Sequence, residues 1–310
     1  MTRKITVLGS LNADTILHIS RLPKQGETMA MNNASTAPGG KGANQAVAAA
    51  RMGAQTKFVG AVGQDQNGEM MLAALQANVV DSNHVQKLAN IGTGSAYILL
   101  EEDGNNTILI HGGANQALTV SDAQNASEAI AAADVLVAQF ETPLEVTLKA
   151  FEIAKQNGVF TILNPAPAKQ GIPTELLELT DLIIPNETEA EIITGIAVSD
   201  DASMEENARK FRELGVQNLI ITVGARGAYY STINGAGFVP AFKVDAVDTT
   251  AAGDTFIGTL ASQLELDLSN VIEAIRFSNR ASSITVQGPG ALPSIPNLEQ
   301  VKQALASKES

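Results

Sequence analysis

The residues with the clearest chemical potential lie near the C-terminus, where small side chains precede a carboxylate. The run Asp248-Thr249-Thr250-Ala251-Ala252-Gly253-Asp254 leads into a predicted helix, Gly253–Leu264. Small residues leave room for a phosphate against the amides of a helix N-terminus, whose dipole favours negative charge. Asp254 lies in this first turn, where its carboxylate could accept the proton of an attacking hydroxyl. An acidic first turn that only stabilises the helix is the alternative, but two alanines before Gly253 favour phosphoryl transfer.

A glycine-rich segment opens another predicted helix. Gly39-Gly40-Lys41-Gly42-Ala43-Asn44 precedes Ala43–Met52 and would let the backbone approach a ligand closely. The segment is not a Walker A loop, because the GK[ST] ending is missing, and it lacks the strand–turn–helix spacing of a dinucleotide fingerprint. A ligand-binding loop and a simple tight turn both remain open at this point.

Two pairs of polar residues follow predicted strands. Asn12 and Asp14 come after the first strand, where they could bond sugar hydroxyls or form an Asx turn. Asn186 and Glu189 are three residues apart at the start of a helical turn. They could hold hydrated Mg²⁺ and ATP phosphates, or they could form a capping box, and the pattern alone favours the cap.

Composition limits the classes of function. The chain has 310 residues, of which 45% are hydrophobic, so a large core needs no disulfides. Lys plus Arg total 20 against 33 Asp plus Glu, a net charge of -13 that argues against nucleic acid as a partner. Cys is absent, which excludes thiolate chemistry. We find no apolar run long enough for a membrane span and no signal peptide, and therefore expect a cytoplasmic protein.

The elements that must position these residues alternate between strands and helices. Strands are predicted at Lys4–Gly9, Lys57–Val62, Asp134–Gln139, Val159–Leu163, Asp181–Ile184 and Asn218–Val223. Helices are predicted at Ala43–Met52, Gly68–Ala77, Ser121–Ala132, Pro143–Gln156, Met204–Leu214, Gly253–Leu264 and Asn270–Val286. This alternation predicts an α/β fold, a doubly wound, mostly parallel sheet with helices on both faces. Ligands of such sheets bind beyond the carboxyl ends of the strands.

Two segments interrupt the alternation. Residues 15–37 and 95–111 read as strands without helices, with a hairpin turn at Glu102–Asn105. They predict a small β-sheet, which is either an edge decoration or a lid that excludes water. The resulting division is an α/β nucleotide- and sugar-binding domain of residues 1–14, 38–94 and 112–310, and a lid of residues 15–37 and 95–111.

The clusters, in this order, resemble the PfkB-type carbohydrate kinase family over nearly the whole chain. The residues that carry the resemblance are Asn12-Ala13-Asp14, Pro23 with Gly26-Glu27-Thr28, Gly39 to Val47, Glu141 to Glu145, Asn164 to Ala168, Pro185 to Glu191 and Val247 to Phe256. The last of these is similar to the family's specific C-terminal signature. The resemblance implies ATP-dependent phosphorylation of D-ribose at O5, with Mg²⁺ as cofactor, K⁺ as activator and a homodimer formed through the small sheet.

The resemblance also implies roles for individual residues. Asp254 would be the catalytic base. The sugar would be held by Asn12, Asp14, Gly40, Lys41, Asn44, Glu141 and Asp254. The nucleotide and the anion hole would involve Asn186, Thr222, Gly224, Gly227, Ala252, Gly253 and Asn279, with Mg²⁺ near Asn186 and Glu189. The monovalent cation would lie near Asp248, Thr250, Thr285, Gly290 and Ser294.

Two alternatives remain from sequence. A related kinase could act on deoxyribose, a nucleoside or a ketohexose, because position-specific selectivity cannot be read from Asn12, Asp14, Lys41 and Asn44. A non-catalytic sugar-binding protein is the alternative from another class. The Gly253-Asp254 pair argues against it, since a pure binder needs no base.

Overall fold

The computed structural model describes residues 2–103 and 106–307. In these ranges the strands are β1 Lys4–Leu8, β2 Asn12–Ile19, β3 Asn33–Gly39, β4 Gln55–Gly63, β5 Asp81–Leu88, β6 Gly94–Glu101, β7 Asn106–His111, β8 Val135–Ala138, β9 Phe160–Leu163, β10 Leu182–Ile183, β11 Leu219–Val223, β12 Gly227–Thr232 and β13 Gly235–Pro240. The α-helices are α1 Lys41–Arg51, α2 Gln66–Ala77, α3 Val120–Asn125, α4 Ser127–Ala131, α5 Leu144–Gln156, α6 Thr174–Glu178, α7 Glu187–Thr194, α8 Asp201–Glu213, α9 Ala252–Gln263, α10 Val271–Thr285 and α11 Leu298–Ala306. Short 3₁₀ turns occupy Gly113–Ala117, Gly224–Arg226 and Leu292–Ser294.

The large sheet has the strand order β13-β12-β11-β10-β9-β8-β1-β4-β5. From β11 to β5 all neighbours are parallel, and β12 and β13 add an antiparallel edge. The central strands are apolar on both faces, as strands covered by helices on both sides must be. All four residues of β8, for example, are buried. The predicted α/β fold class is confirmed.

Two apolar layers flank the large sheet. The layer that contains α1 and α9 joins Ala46 and Val47 to Phe256 and Leu260, all buried. A Cβ on Gly258 would lie 2.3 Å from the Gln45 carbonyl oxygen, so the two helices meet backbone to backbone. Truncation of Leu260 to Ala would cost about 2–5 kcal/mol of stability, because the site could not collapse. This packing fixes the N-termini of α1 and α9 side by side.

The small sheet has the order β3-β2-β6-β7. β2 pairs antiparallel with β3 and parallel with β6, and β6 pairs antiparallel with β7. The strands extend beyond the predicted segments, since β2 begins at Asn12 and β3 ends at Gly39. Asn12 and Asp14 therefore lie in a strand, and the Asx-turn alternative is wrong. The predicted hairpin turn at Glu102–Asn105 includes residues 104 and 105, which lie outside the described residues.

Several elements differ from those predicted. The helix predicted at Ser121–Ala132 is broken at Ala126, whose φ of -91° and ψ of 7° leave the helical range and separate α3 from α4. Strands β5, β12 and β13 and helices α6 and α11 were not predicted. No helix among the described residues has the length and apolar character of a membrane span.

Candidate active site

Two openings that share several lining residues lie at the carboxyl ends of the large sheet's strands. The first, which we call the inter-sheet cleft, measures about 430 Å³ and lies beneath the small sheet. It is lined by residues that include Asn12, Asp14, Gly40, Lys41, Asn44, Glu141, Asn186, Glu189 and Asp254. The second, the helix pocket, measures about 210 Å³ at the N-terminus of α9. It is lined by residues that include Lys41, Asn164, Asn186, Glu189, Thr222, Ala252, Gly253 and Asp254. The cleft thus unites the predicted sugar-binding residues.

The start of α9 presents a carboxylate and free amides to both openings. Ala251 takes a left-handed conformation, φ 60° and ψ 8°, which turns the chain into the helix. The Ala252 amide donates to the Thr249 carbonyl at 3.2 Å. In the described parts of the chain, the amides of Gly253 and Asp254 have no acceptor, so they are the ones available to an anion.

Asp254 is held in place by two amide side chains. Asn44 Nδ2 donates to its Oδ2 at 2.9 Å, and Gln45 Nε2 donates to its Oδ1 at 2.9 Å. The residue is 9% exposed, yet it lines both openings. Asp254 is therefore one of the residues that the two openings share. The Oδ1 atom of Asn44, a residue that lines the cleft, is buried without a partner among the described residues.

The glycine-rich start of α1 binds protein groups and not an external anion. The amides of Gly42 and Ala43 donate to the side chain and carbonyl of Ser10, at 3.3 and 3.0 Å. The Lys41 amide donates to Glu141 Oε2 at 3.3 Å, and Ser10 Oγ donates to the same oxygen. A carboxylate at a helix N-terminus is electrostatically favoured. The amides of this turn are thus already occupied by protein groups.

Glycine is required here by close approach to the small sheet. A Cβ on Gly39 would lie 1.9 Å from Asp14 Oδ2, and one on Gly40 would lie 2.8 Å from the Asn12 amide nitrogen. Gly40 also has a φ of 92°. The glycine pair therefore brings β2, with its two polar side chains, against the start of α1. A larger residue at either position would clash with β2, which is the physical reason for glycine there.

The charges of the cleft are strongly coupled. Burial, and then the neighbouring carboxylates of Glu141 and Asp254, raise the pKa of Asp14 to about 7. Burial acts to lower the pKa of Lys41, but the surrounding carboxylates, first Asp254 and then Glu141, outweigh it and the pKa is raised. Burial also raises the pKa of Glu189. One ammonium thus stands among four carboxylates, a site suited to sugar hydroxyls and to a metal-bound phosphate.

Asn186 and Glu189 form a capping box at the start of α7. Asn186 Oδ1 accepts from the Glu189 amide at 2.8 Å, and Glu189 Oε2 accepts from the Asn186 amide at 2.9 Å. The capping alternative is therefore correct for the local structure. Both side chains also line both openings, so the two roles are compatible.

The donor set fits a hydrated divalent cation. Glu189 and Asn186 supply oxygens beside the helix pocket, and Mg²⁺ keeps most of its waters when it is bound with phosphates. No cluster of three or more metal-binding side chains occurs in the described ranges.

A third opening, the outer cavity, measures about 350 Å³ beside α10. Gly224 and Asn279 line it, together with Ala252 of α9. The Asn279 side chain donates to the Val239 and Pro240 carbonyls at 3.1 Å. Gly227 lines none of the three openings. A Cβ there would lie 2.1 Å from the Val239 oxygen, so this glycine serves the β11–β12 turn.

The predicted cation-binding residues are brought together around Asp248. Its carboxylate accepts from Thr250, at 2.6 Å from the hydroxyl, and from the Gly290 amide at 2.9 Å. Ser294 Oγ donates to the Gly290 carbonyl at 2.6 Å. Thr285 is more deeply buried and bonds Thr255 Oγ1 at 3.0 Å. Burial acts to raise the pKa of Asp248, but these hydrogen bonds lower it overall, so the loop retains a negative charge.

Sequence reasoning assigned no role to four residues that support the site. Ser10 and Asn115 hold the loop between β1 and β2, and Asn115 Nδ2 donates to Asn12 Oδ1 at 2.8 Å. Gln45 and Asn164 lie behind Asp254 and bond each other at 3.1 Å. Gln45 and Asn164 belong to the motifs that carried the resemblance, whereas Asn115 lies in the short turn Gly113–Ala117 after β7 and belongs to none of those motifs.

Comparisons with known proteins identify the family of the chain. The model of the pfkB family carbohydrate kinases matches residues 2–298. A ribokinase of Staphylococcus aureus is 47% identical over 98% of this chain and 100% of the relative. A ribokinase of Haemophilus influenzae is 42% identical over 98% of this chain and 99% of its own. The structure of Arabidopsis thaliana ribokinase complexed with ribose and ATP superposes with a TM-score of 0.93, at 33% identity over 98% of this chain and 99% of that chain. The chain belongs to the pfkB family of carbohydrate kinases.

Proposed function

We propose that the protein transfers the γ-phosphoryl group of ATP to O5 of D-ribose, giving ribose 5-phosphate and ADP. The observation that carries this proposal is Asp254, which stands between the inter-sheet cleft and the free amides of α9. The relatives named ribokinase, and the Arabidopsis structure with ribose and ATP, support this sugar over deoxyribose, a nucleoside or a ketohexose.

The inter-sheet cleft would bind the sugar. Asp14 and Glu141 offer carboxylate oxygens, Asn12 and Asn44 offer amides, and Lys41 offers an ammonium donor. Together they supply both acceptors and donors, as the hydroxyls of a pentose require. The unpartnered Oδ1 of Asn44 would gain its missing bond from a sugar hydroxyl.

Asp254 would serve as the base of an in-line transfer. Its carboxylate takes the proton of the sugar hydroxyl as the oxygen attacks the γ-phosphorus. The new bond joins O5 to phosphorus, the bond to the β-phosphate oxygen breaks, and ADP leaves with that electron pair. Positioning and charge stabilisation supply most of the rate in such reactions.

The N-terminus of α9 would stabilise the charge on the transferring group. Gly253 and Asp254, whose amides have no acceptor among the described residues, line the helix pocket, and Lys41 lines it as well. Asn186 and Glu189 would hold the waters of Mg²⁺, which when bound neutralises charge on the phosphates. Thr222, Gly224 and Asn279 would border the nucleotide, whose base would enter the outer cavity.

Three further properties belong to the proposal. K⁺ would bind near Asp248, among the carbonyl oxygens that this ion prefers. The small sheet would act as a lid and as the surface of a homodimer, since Tyr97 and Leu109 expose 44% and 60% of their surface. The enzyme would act in the cytoplasm, where its nucleotide is supplied.

Sugar-dependent consumption of ATP tests the proposal directly. A panel of ribose, deoxyribose, nucleosides and ketohexoses is assayed by coupled detection of ADP. We expect kcat/KM to be highest for ribose. A higher value for another sugar would replace the substrate, and an absence of turnover with every sugar, despite sugar binding, would favour the non-catalytic alternative.

A further inference from the structure

A chain of buried amides lies directly behind Asp254. Gln139, at the end of β8, donates through Nε2 to Gln45 Oε1 at 2.6 Å. Gln45 Nε2 in turn donates to Asp254 Oδ1 at 2.9 Å and to Asn164 Oδ1 at 3.1 Å. Asn164 Nδ2 closes the chain on the Ile184 carbonyl at 3.0 Å. The base is thus tied through Gln45 to three neighbouring strand ends of the large sheet.

Gln45 differs from the other donor to Asp254. Asn44 lines the inter-sheet cleft and can contact the sugar itself. Gln45 is 0% exposed and lines neither the cleft nor the helix pocket, so it cannot reach a ligand. Any effect of Gln45 on the reaction must therefore pass through the carboxylate that it bonds.

We propose that Gln45 is a positioning residue, which fixes the orientation of the Asp254 carboxylate so that one oxygen faces the sugar hydroxyl. The proposal rests on the phosphoryl transfer proposed above. The charges that face Asp254 from other elements are Lys41, Asp14 and Glu189. Because Lys41 attracts the carboxylate from the ligand side, a fixed donor behind it is needed to keep its rotamer constant.

The direction of the Gln45 amide is set by its neighbours. Its oxygen accepts from Gln139 Nε2, which leaves its nitrogen for Asp254. The reverse orientation would place an oxygen against a carboxylate and leave Gln139 without an acceptor. Gln139 is itself confined, because a Cβ on Gly9 would lie 2.2 Å from its Oε1. Of the two orientations of the Gln45 amide, only this one pairs both its oxygen and its nitrogen, whereas Gln139 Oε1 has no partner among the described residues.

The variant Gln45→Met keeps the volume and removes the donor. If the free energy of a hydrogen bond to a charged group is lost in the transition state, kcat falls by about 10- to 100-fold. Since Gln45 does not touch the sugar, we expect KM for ribose to change by less than about threefold. The measurement is steady-state kinetics with ribose and ATP.

Loss of a buried amide also affects stability, so a matched control is needed. Asn207 in α8 is 0% exposed as well. It makes three hydrogen bonds, to Ile196 O, Ser203 O and Thr194 Oγ1, at 3.1, 2.9 and 2.7 Å. Asn207→Leu removes the same number of bonds at a residue that lines none of the three openings. We expect this variant to lose stability and to retain kcat at temperatures where it is folded.

A double-mutant cycle separates positioning from a merely structural role. If Gln45 acts through Asp254, Gln45→Met has no further effect on single-turnover rates in an Asp254→Asn background. Additive losses, an unchanged kcat in Gln45→Met, or an equal loss in Asn207→Leu would each overturn the proposal. Failure of the proposed function is distinguishable, because the wild-type protein would then show no ribose-dependent turnover.

Discussion

Replacement of Asp14 by Asn should make the protein more stable at alkaline pH while it weakens sugar binding. The pKa of Asp14 is raised from 3.8 to about 7 by burial and by the charges of Glu141 and Asp254. A folded-state pKa above the unfolded value means that the folded state binds the proton more tightly. The contribution of Asp14 to stability is therefore fully present below about pH 4 and is lost as pH rises to about 7.

The magnitude follows from the size of the shift. One pKa unit corresponds to about 1.4 kcal/mol, so the raised pKa of Asp14 lowers the free energy of unfolding by about 4 kcal/mol at most once pH exceeds about 7. Asn has nearly the same shape and does not ionise. The stability of Asp14→Asn relative to wild type should thus grow by about 3 kcal/mol between about pH 5 and about pH 8.

Urea unfolding at these two pH values measures the difference. The same substitution at the exposed Asp201 serves as the matched control. We also expect KM for ribose to rise about tenfold in Asp14→Asn, because a charged acceptor is lost. If the free energies of unfolding of wild type and Asp14→Asn differ by the same amount at both pH values, the electrostatic account of the cleft is wrong.

Three shorter predictions concern other parts of the molecule. Gly253→Ala should raise Tm, because a Cβ there meets nothing within 4 Å and Ala favours the helix. The same methyl group should lower kcat because it blocks the phosphate, and a kcat equal to that of wild type would contradict this. K⁺ should activate turnover more than Na⁺, and Asp248→Asn should reduce that difference. Equal turnover of the wild type in K⁺ and in Na⁺, measured by coupled assay, would contradict the proposed cation site. Leu109→Glu should yield monomers in sedimentation experiments. Ile233→Glu, which replaces a side chain that is 71% exposed outside the small sheet, should remain dimeric. A dimeric Leu109→Glu variant, or a monomeric wild type, would contradict the role of the small sheet in the dimer.

The fold was predictable where burial is strong. Strands such as Val135–Ala138 are apolar throughout, and their neighbours along the chain are helices, so pattern alone indicated a parallel sheet. The antiparallel edge was missed because Gly227–Thr232 and Gly235–Pro240 contain glycines and tyrosines without an apolar run. The break at Ala126 left no mark either, since Ala is the best helix former and gives no stop signal.

The site was predictable in its parts and not in its assembly. Small residues before Asp254 and glycines before Lys41 carry chemical meaning that a single segment can show. The buried partners do not, because Gln45, Asn115 and Asn164 acquire their roles only when distant strands meet. Asn115 is 104 residues from Leu11, and its Oδ1 accepts a hydrogen bond from the Leu11 amide at 2.9 Å. Such a separation along the chain leaves no local sequence pattern.

The most direct test of the central claim is the turnover of Asp254→Asn. The substitution keeps the size of the side chain and removes the base, so ribose and ATP should still bind while kcat falls by at least about a hundredfold. Asp201→Asn, at an exposed position of α8, should retain wild-type kcat. Binding is measured by calorimetry and turnover by ADP release. A kcat of Asp254→Asn within about threefold of wild type would contradict the assignment of this carboxylate as the base.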